Sequence, residues 1–447
     1  MSITLYGYAY QSLAVTGSVP DDMAVFSVSV AGAALVAHLA VRRFAAHADP
    51  LLLPVTVLLS GIGLVLLHRL DAAYAVAYNA PAVAPGQRMW CGVGVAACAA
   101  VVALLKDYRR LQRYLYLTMA AALVLLAAPA FSSGDTYGAK RWIVLGTLSL
   151  QPGEFVKIMM AVCFAGYLVT HRDALALTGR RFLGVRFPSG RQLGPIALVW
   201  VACLFVLVFE RDLGTALIFF GLFVITLYVA TRRTGWVVCG LLMAAVGAAV
   251  VGSIEPYVQS RVVAWLHPFD FFLPEEQRPE GLVSGQLAQA LFSFGSGGLT
   301  GTGLGIGHPE LIGFAGRSDF VLTTVGEELG LAGVMAVLLL YTLLVQRGLR
   351  TALVARDPFG KLLATGLAAV MALQVFVVAG GVTGLIPLTG KALPFLAQGG
   401  TSLVANWLLV ALLIRISDAA RRPPAEETHA LNAASRGTPS MGPCPGR

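Results

Sequence analysis

The chain has 447 residues, 57% of them hydrophobic and only 12% charged, with a mean hydropathy of +0.76 and a formal net charge of +9. A soluble globular domain carries roughly 25% charged residues, so the composition excludes one and indicates an all-α polytopic membrane protein. The basic residues are spread over loops and form no patch, which excludes a nucleic-acid-binding reading.

Residues 1–22 have no basic leader and contain Asp21 and Asp22, so no cleavable signal peptide is expected. Residues 1–16 are apolar but short and polar-interrupted, and read as an interfacial segment. Stretches long and apolar enough to span a membrane lie near 23–41, 51–68, 89–105, 114–131, 153–170, 192–209, 213–231, 235–253, 329–346, 362–380 and 399–416, eleven in all. The first belongs to an N-terminal segment, 1–49, ahead of a membrane core over 50–416. Residues 417–447 are rich in Pro, Ala, Arg, Ser and Gly and read as a disordered tail.

One set of loops, with the tail, holds 22 of the 32 Lys and Arg residues, among them Arg42, Arg43, Arg109, Arg110, Arg232, Arg233, Arg356 and Lys361. By the positive-inside rule this set is cytoplasmic, which puts the C-terminus inside and the N-terminus outside. Of the cysteines, Cys91, Cys98, Cys163, Cys203 and Cys239 fall in expected spans and Cys444 in the tail. No Cys-x-x-Cys pair occurs, and they read as packing residues.

The long segments, 132–152, 254–328 and 381–398, all belong to the outward side. Four polar clusters gather there: Lys140, Arg141, Gln151, Glu154 and Lys157; Glu210-Arg211-Asp212; Asp270 with Glu275, Glu276 and Glu280; and Arg317, Asp319, Glu327 and Glu328. Glu154 and Lys157 are the most telling, because their i, i+3 spacing puts both on one face of an intramembrane helix, where charge is costly and usually functional. Residues 284–299 read as a short amphipathic or re-entrant helix ending in the glycine-rich run 295–307. That run suits either a tight cavity-lining turn or a direct pyrophosphate contact. Cations beside carboxylates suit a glycosyl transfer, in which a carboxylate serves as general base and cations stabilise a pyrophosphate leaving group. A proton- or ion-coupled transporter is the rival reading, disfavoured because the charges gather on one side.

Five ordered motifs resemble the SEDS family (FtsW, RodA, SpoVE): Gly138-Ala139-Lys140-Arg141-Trp142-Ile143; Gln151-Pro152-x-Glu154-Phe155-x-Lys157; Arg211-Asp212-Leu213-Gly214-Thr215; Ser318-Asp319-Phe320 with Gly326-Glu327-Glu328-Leu329-Gly330; and Gly384 through Gly400. The match covers about residues 50–416 and is similar to actinobacterial members. The resemblance implies a peptidoglycan glycosyltransferase that polymerises lipid II outside the cytoplasmic membrane, in elongation or division, with a class B penicillin-binding protein as partner. A divalent cation, Mg²⁺ or Mn²⁺, would assist; no organic cofactor is expected, and no metal ligands are assigned.

On this resemblance the catalytic residues are Asp270, Glu154 and Lys157, and the substrate-binding residues are Arg141, Gln151, Arg211, Asp212, Arg261, Gln286, Asp319 and Glu327. Asp270 is the least regular match. It stands two residues after Pro268, where the family places its aspartate three after, and Gly285 replaces the usual tyrosine before Gln286. Glu275 or Glu276 is the alternative base. Two readings from other classes stay open: a lipid II flippase or lipid transporter, and a non-catalytic scaffold for a penicillin-binding protein.

Overall fold

The computed structural model describes residues 1–131, 142–145, 148–176, 181–182, 185–186, 201–202 and 212–423. Among these the chain is almost entirely helical. Nine helices are long and apolar enough to cross a membrane: α2 (Met23–Phe44), α3 (Leu52–Tyr78), α4 (Ala84–Leu104), α7 (Pro152–Ala176), α8 (Leu213–Thr231), α9 (Thr234–Ile254), α12 (Val321–Val354), α13 (Pro358–Val382) and α14 (Gly400–Arg421). The shorter helices are α1 (Ser2–Thr16), α5 (Arg110–Arg113), α6 (Leu115–Ala127), α10 (Pro256–Leu266) and α11 (Gln286–Gly297). The span expected over 114–131 is the 13-residue α6 with a 3₁₀ turn after it. The span over 192–209 lies almost wholly outside the described residues, so the count of eleven is not reached here.

The fold is a bundle with a clear centre. In the most apolar stretch of α14, 89% of residues are buried, and in α13 78%, against 17% in α2 and in α9. Interior helices therefore touch protein on all sides, while rim helices turn most of their apolar surface toward lipid. Small residues set the closest approaches. A side chain at Gly94 would meet the Trp407 ring at 2.8 Å, which is how α4 lies against α14. Cys91, Cys98 and Cys163 are buried packing residues.

Three elements differ from the sequence expectation. Residues 1–16 form a helix whose Thr4, Tyr8, Gln11 and Ser12 are buried, with Tyr8 stacked on Phe26 and beside His68. The loop expected over 254–328 is largely structured: it holds α10, α11, three 3₁₀ segments at Pro268–Phe272, Glu275–Gln277 and Pro309–Arg317, and the first turns of α12. The tail expected from 417 starts later, because α14 runs to Arg421 and buries Ser417 and Asp418. Their polar groups serve chain ends: Asp418 Oδ1 accepts from His47 N at 3.0 Å and Ser417 Oγ from Asp49 N at 2.9 Å. Arg415 donates to the carbonyls of Phe44, Leu105 and Lys106, capping the ends of α2 and α4.

A β-hairpin, β1 (Ile143–Leu145) with β2 (Leu148–Leu150), pairs Ile143 with Leu150 and leads into α7. Pro152 then opens α7, where a missing N–H costs nothing.

Candidate functional site

The heads of α7 and α8 meet the middle of α13 and the start of α14 in a set of buried charges. Glu154 and Lys157 are each 2% exposed, Asp212 1% and Lys391 3%. Lys157 Nζ lies 2.7 Å from Glu154 Oε2, 2.7 Å from Gln374 Oε1 and 2.9 Å from Asn406 Oδ1. An ammonium has three N–H donors, and all three are taken by protein. Ser402 Oγ donates to Glu154 Oε2 at 2.9 Å, and Gln374 Nε2 donates to the Ala392 carbonyl at 3.0 Å.

The second pair completes the set. Lys391 Nζ lies 3.0 Å from Asp212 Oδ2 and 3.8 Å from Glu154 Oε1. Asp212 also caps α8, its Oδ1 accepting from Thr215 N at 3.0 Å and its Oδ2 from the Thr215 hydroxyl at 2.7 Å. Gly214 leaves the room that the Lys391 stem fills. Two ammonium groups and two carboxylates thus balance in a dry interior, the arrangement that keeps buried charge affordable.

Lys157, expected among the catalytic residues, has all three ammonium donors on protein. Its ammonium is enclosed and pins α7 to α13 and α14. Asp212 is likewise a helix cap and ion-pair partner. Gln151 sits just ahead of α7 and gives its N–H to Thr401 Oγ1 at 3.4 Å. Arg141 and Arg211 lie outside the described residues.

A cavity of about 420 Å³ opens beside the start of α14, lined by Gln87, Trp90, Trp142, Ser318, Gln398 and Gly399. It joins the first, fourth and fifth sequence motifs. Gln87 holds its floor, donating to Ala397 O at 3.2 Å and accepting from Gly399 N at 3.1 Å. Asp319 accepts from Ser318 Oγ at 2.7 Å on the same rim.

The acids of the fourth motif brace backbone. α12 breaks at Gly330 (φ 67°), and the freed N–H groups of Leu331 and Ala332 donate to Gly298 O and Leu299 O at 2.9 and 3.1 Å. In return Thr302 N and Gly303 N donate to the Glu327 and Glu328 carbonyls. The Glu327 carboxylate accepts from His308 N at 2.7 Å and that of Glu328 from Gly305 N at 3.0 Å, while Arg69 Nε lies 2.7 Å from Glu328 Oε1. The glycine-rich run is therefore a tight turn locked to a helix kink, with these amides spent on protein. Arg317 pairs with Asp71 at 2.9 Å and lies over the Tyr74 ring.

Asp270 stands apart. It lies on the 3₁₀ segment Pro268–Phe272, its side chain 37% exposed and 3.2 Å from His267 Nδ1. Phe269 and Phe272 pack on Phe292 of α11, and Trp265 Nε1 donates to Gly384 O at 2.7 Å, tying the segment to the 381–398 region. Arg261 on α10 lies over the Tyr257 ring, and Gln286 is the first residue of α11. Glu275 and Glu276 are exposed on the next turn. No described contact joins Asp270 to the buried quartet.

The implied cation finds no protein-built site among the described residues. No three His, Cys, Asp or Glu side chains come together, and Glu154 and Asp212 already face ammonium groups. Sequence reasoning missed Lys391, Gln374, Asn406, Ser402 and Arg69. Lys391 carried the usable signal, a lysine within an otherwise uncharged outward segment.

The chain is 46% identical over 409 residues to the Mycobacterium tuberculosis protein named "Peptidoglycan glycosyltransferase RodA", covering 91% of this chain and 85% of that one. It is 32% identical over 331 residues to "Probable peptidoglycan glycosyltransferase FtsW" of Geobacter metallireducens, covering 73% and 83%. A solved structure titled "Structural coordination of polymerization and crosslinking by a peptidoglycan synthase complex" is similar with a TM-score of 0.64 at 25% identity, covering 84% of this chain and 99% of that one. The rod shape determining protein RodA of Thermus thermophilus shares the fold with a TM-score of 0.55 at 23% identity, covering 84% and 98%. The sequence model of the FtsW, RodA and SpoVE family, described as "Cell cycle protein", matches residues 50–422, and the chain belongs to that family.

Proposed function

We propose that this chain is a peptidoglycan glycosyltransferase that polymerises lipid II on the outward side of the membrane, working with a class B penicillin-binding protein. One observation carries the reading: a relative named for that activity is 46% identical over 91% of this chain. The geometry supports a division of labour. Asp270 is a carboxylate with solvent access, and it takes the proton from the acceptor sugar's 4-hydroxyl as that oxygen attacks the donor's anomeric carbon. The C–O bond to the undecaprenyl pyrophosphate breaks with inversion, since one base and no covalent intermediate suit a single displacement.

The saccharide headgroup occupies the cavity beside α14, whose Trp90, Trp142, Gln87 and Gln398 offer aromatic faces and amides. Arg141 and Arg211 are the cations left to meet the pyrophosphate, because Lys157 and Lys391 are spent on Glu154 and Asp212. The buried quartet is thus positioning machinery, holding four helices in register beneath the reaction. A divalent cation, where used, would arrive with the pyrophosphate oxygens.

The test is proteoliposomes holding the purified protein, lipid II and a partner whose transpeptidase is blocked. Glycan strands are expected. Movement of lipid II across the bilayer without any strand would replace this reading with a flippase, and neither product with partner binding intact would replace it with a scaffold.

A further inference from the structure

The opposite ends of the same helices carry a second cavity, of about 960 Å³, which none of the functional residues above uses. It lies between α7, α8, α12 and α13. Lys361 lines it, 13 residues before Gln374 on α13 and so about 20 Å along the helix from the buried quartet at 1.5 Å per residue. Among the described residues its charged lining consists of Arg232, Arg356 and Lys361, with no acid beside them. Its walls are apolar: Val169, Val229, Leu349 and Leu353, the last three exposed in a position where lipid is the solvent.

Four observations separate this site from the general excess of cations on that side. Among the described residues neither Arg232 nor Lys361 has an ion-pair partner. The nearest acid in sequence, Asp357, is already occupied by Arg109 at 3.3 Å, the Tyr108 hydroxyl and Gly360 N at 2.8 Å. Arg356 gives one N–H to the Arg422 carbonyl at 3.0 Å, an uncharged partner. And Arg232 closes α8 in the left-handed region (φ 55°, ψ 33°), its N–H bonded to Tyr228 O at 2.7 Å. Glycine is the residue that position ordinarily takes, so this chain places a long cation there against a backbone preference.

We propose that this cavity is a binding site for an anionic phospholipid, its phosphate held by Arg232, Arg356 and Lys361 and an acyl chain lying along the α8 and α12 walls. The volume is at the upper end of the roughly 300–1,000 Å³ usual for ligand pockets, and basic pockets between membrane helices are suited to acidic headgroups. By the lysine and arginine distribution the leaflet is the inner one.

The test is native mass spectrometry of the full chain released from micelles containing equal amounts of a diacyl phosphatidylglycerol and a phosphatidylcholine. Retention of the anionic lipid should exceed that of the zwitterionic one by about tenfold or more, near fivefold per engaged cation. The combined variant Arg232→Gln, Arg356→Gln, Lys361→Gln should lose that preference, while Arg42→Gln, Arg43→Gln should keep it. Should the triple variant fail to fold, Arg232→Gly decides, because it relieves the backbone and removes one cation: retention should fall several-fold with unchanged or raised thermal stability. Equal preference in wild type and variants would overturn the proposal. Displacement of the lipid by millimolar inorganic phosphate alone would also overturn it, pointing to a soluble anion.

Discussion

Glu154 and Asp270 are both acids of the polar clusters read from the sequence, yet they live in opposite environments. Glu154 is enclosed, bonded to Lys157 and Ser402 and 3.8 Å from a second lysine. Asp270 sits on a one-turn 3₁₀ segment with over a third of its side chain open and an imidazole beside it. A buried carboxylate held between two ammonium groups and a hydroxyl sets geometry; a group open to solvent can exchange a proton but braces little. Charge inside a membrane protein therefore does not by itself mark the reacting atoms. The account assigns stability to the first site and proton transfer to the second.

The largest expected effect on stability comes from breaking the enclosed site. Lys157→Met leaves Glu154 short of its closest cation, and losing one partner of a buried pair costs about 3–5 kcal/mol. Thermal unfolding in micelles should show this, and the double variant Glu154→Gln, Lys157→Met should recover a large part of it. If the single variant unfolds like wild type, the quartet is not the keystone described here.

Next in size is the helix break. Gly330→Ala puts a Cβ at φ 67° within 2.6 Å of the Leu299 carbonyl carbon, which costs about 1–3 kcal/mol in backbone strain alone. The same melt should register it, together with faster proteolysis of the 298–307 turn. The smallest effect is at the Asp270 segment: Trp265→Phe deletes the bond to Gly384 O, worth about 1 kcal/mol. It should reduce polymerisation several-fold with little change in melting. A large drop in melting temperature there would erase the contrast between the two regions.

Much of this was legible in the sequence because membrane spans and intramembrane charge leave strong signatures. All ten expected spans that fall in described residues coincide with helices, and the i, i+3 pair Glu154–Lys157 forms as its spacing implied. What was not legible depended on distant residues. The closure of Gln374 and Asn406 over Lys157, from more than 200 residues away, leaves no local signature in the sequence. The 254–328 stretch reads as loop because its helices are short and its glycines frequent, whereas the structure uses those glycines at positive φ to fold the turn onto the broken α12. Asp71 carries no signal of its own in the sequence; the structure pairs it with Arg317 of the fourth cluster and has it cap the Val83 and Ala84 N–H groups.

The most direct test of the account measures activity and stability together for Asp270→Asn, using lipid II polymerisation with the partner present beside thermal unfolding of the same preparation. The account predicts strand synthesis reduced about 10²–10⁴-fold with the melting temperature unchanged. Strands at the wild-type rate from a folded Asp270→Asn protein would contradict it and move the base to Glu275 or Glu276.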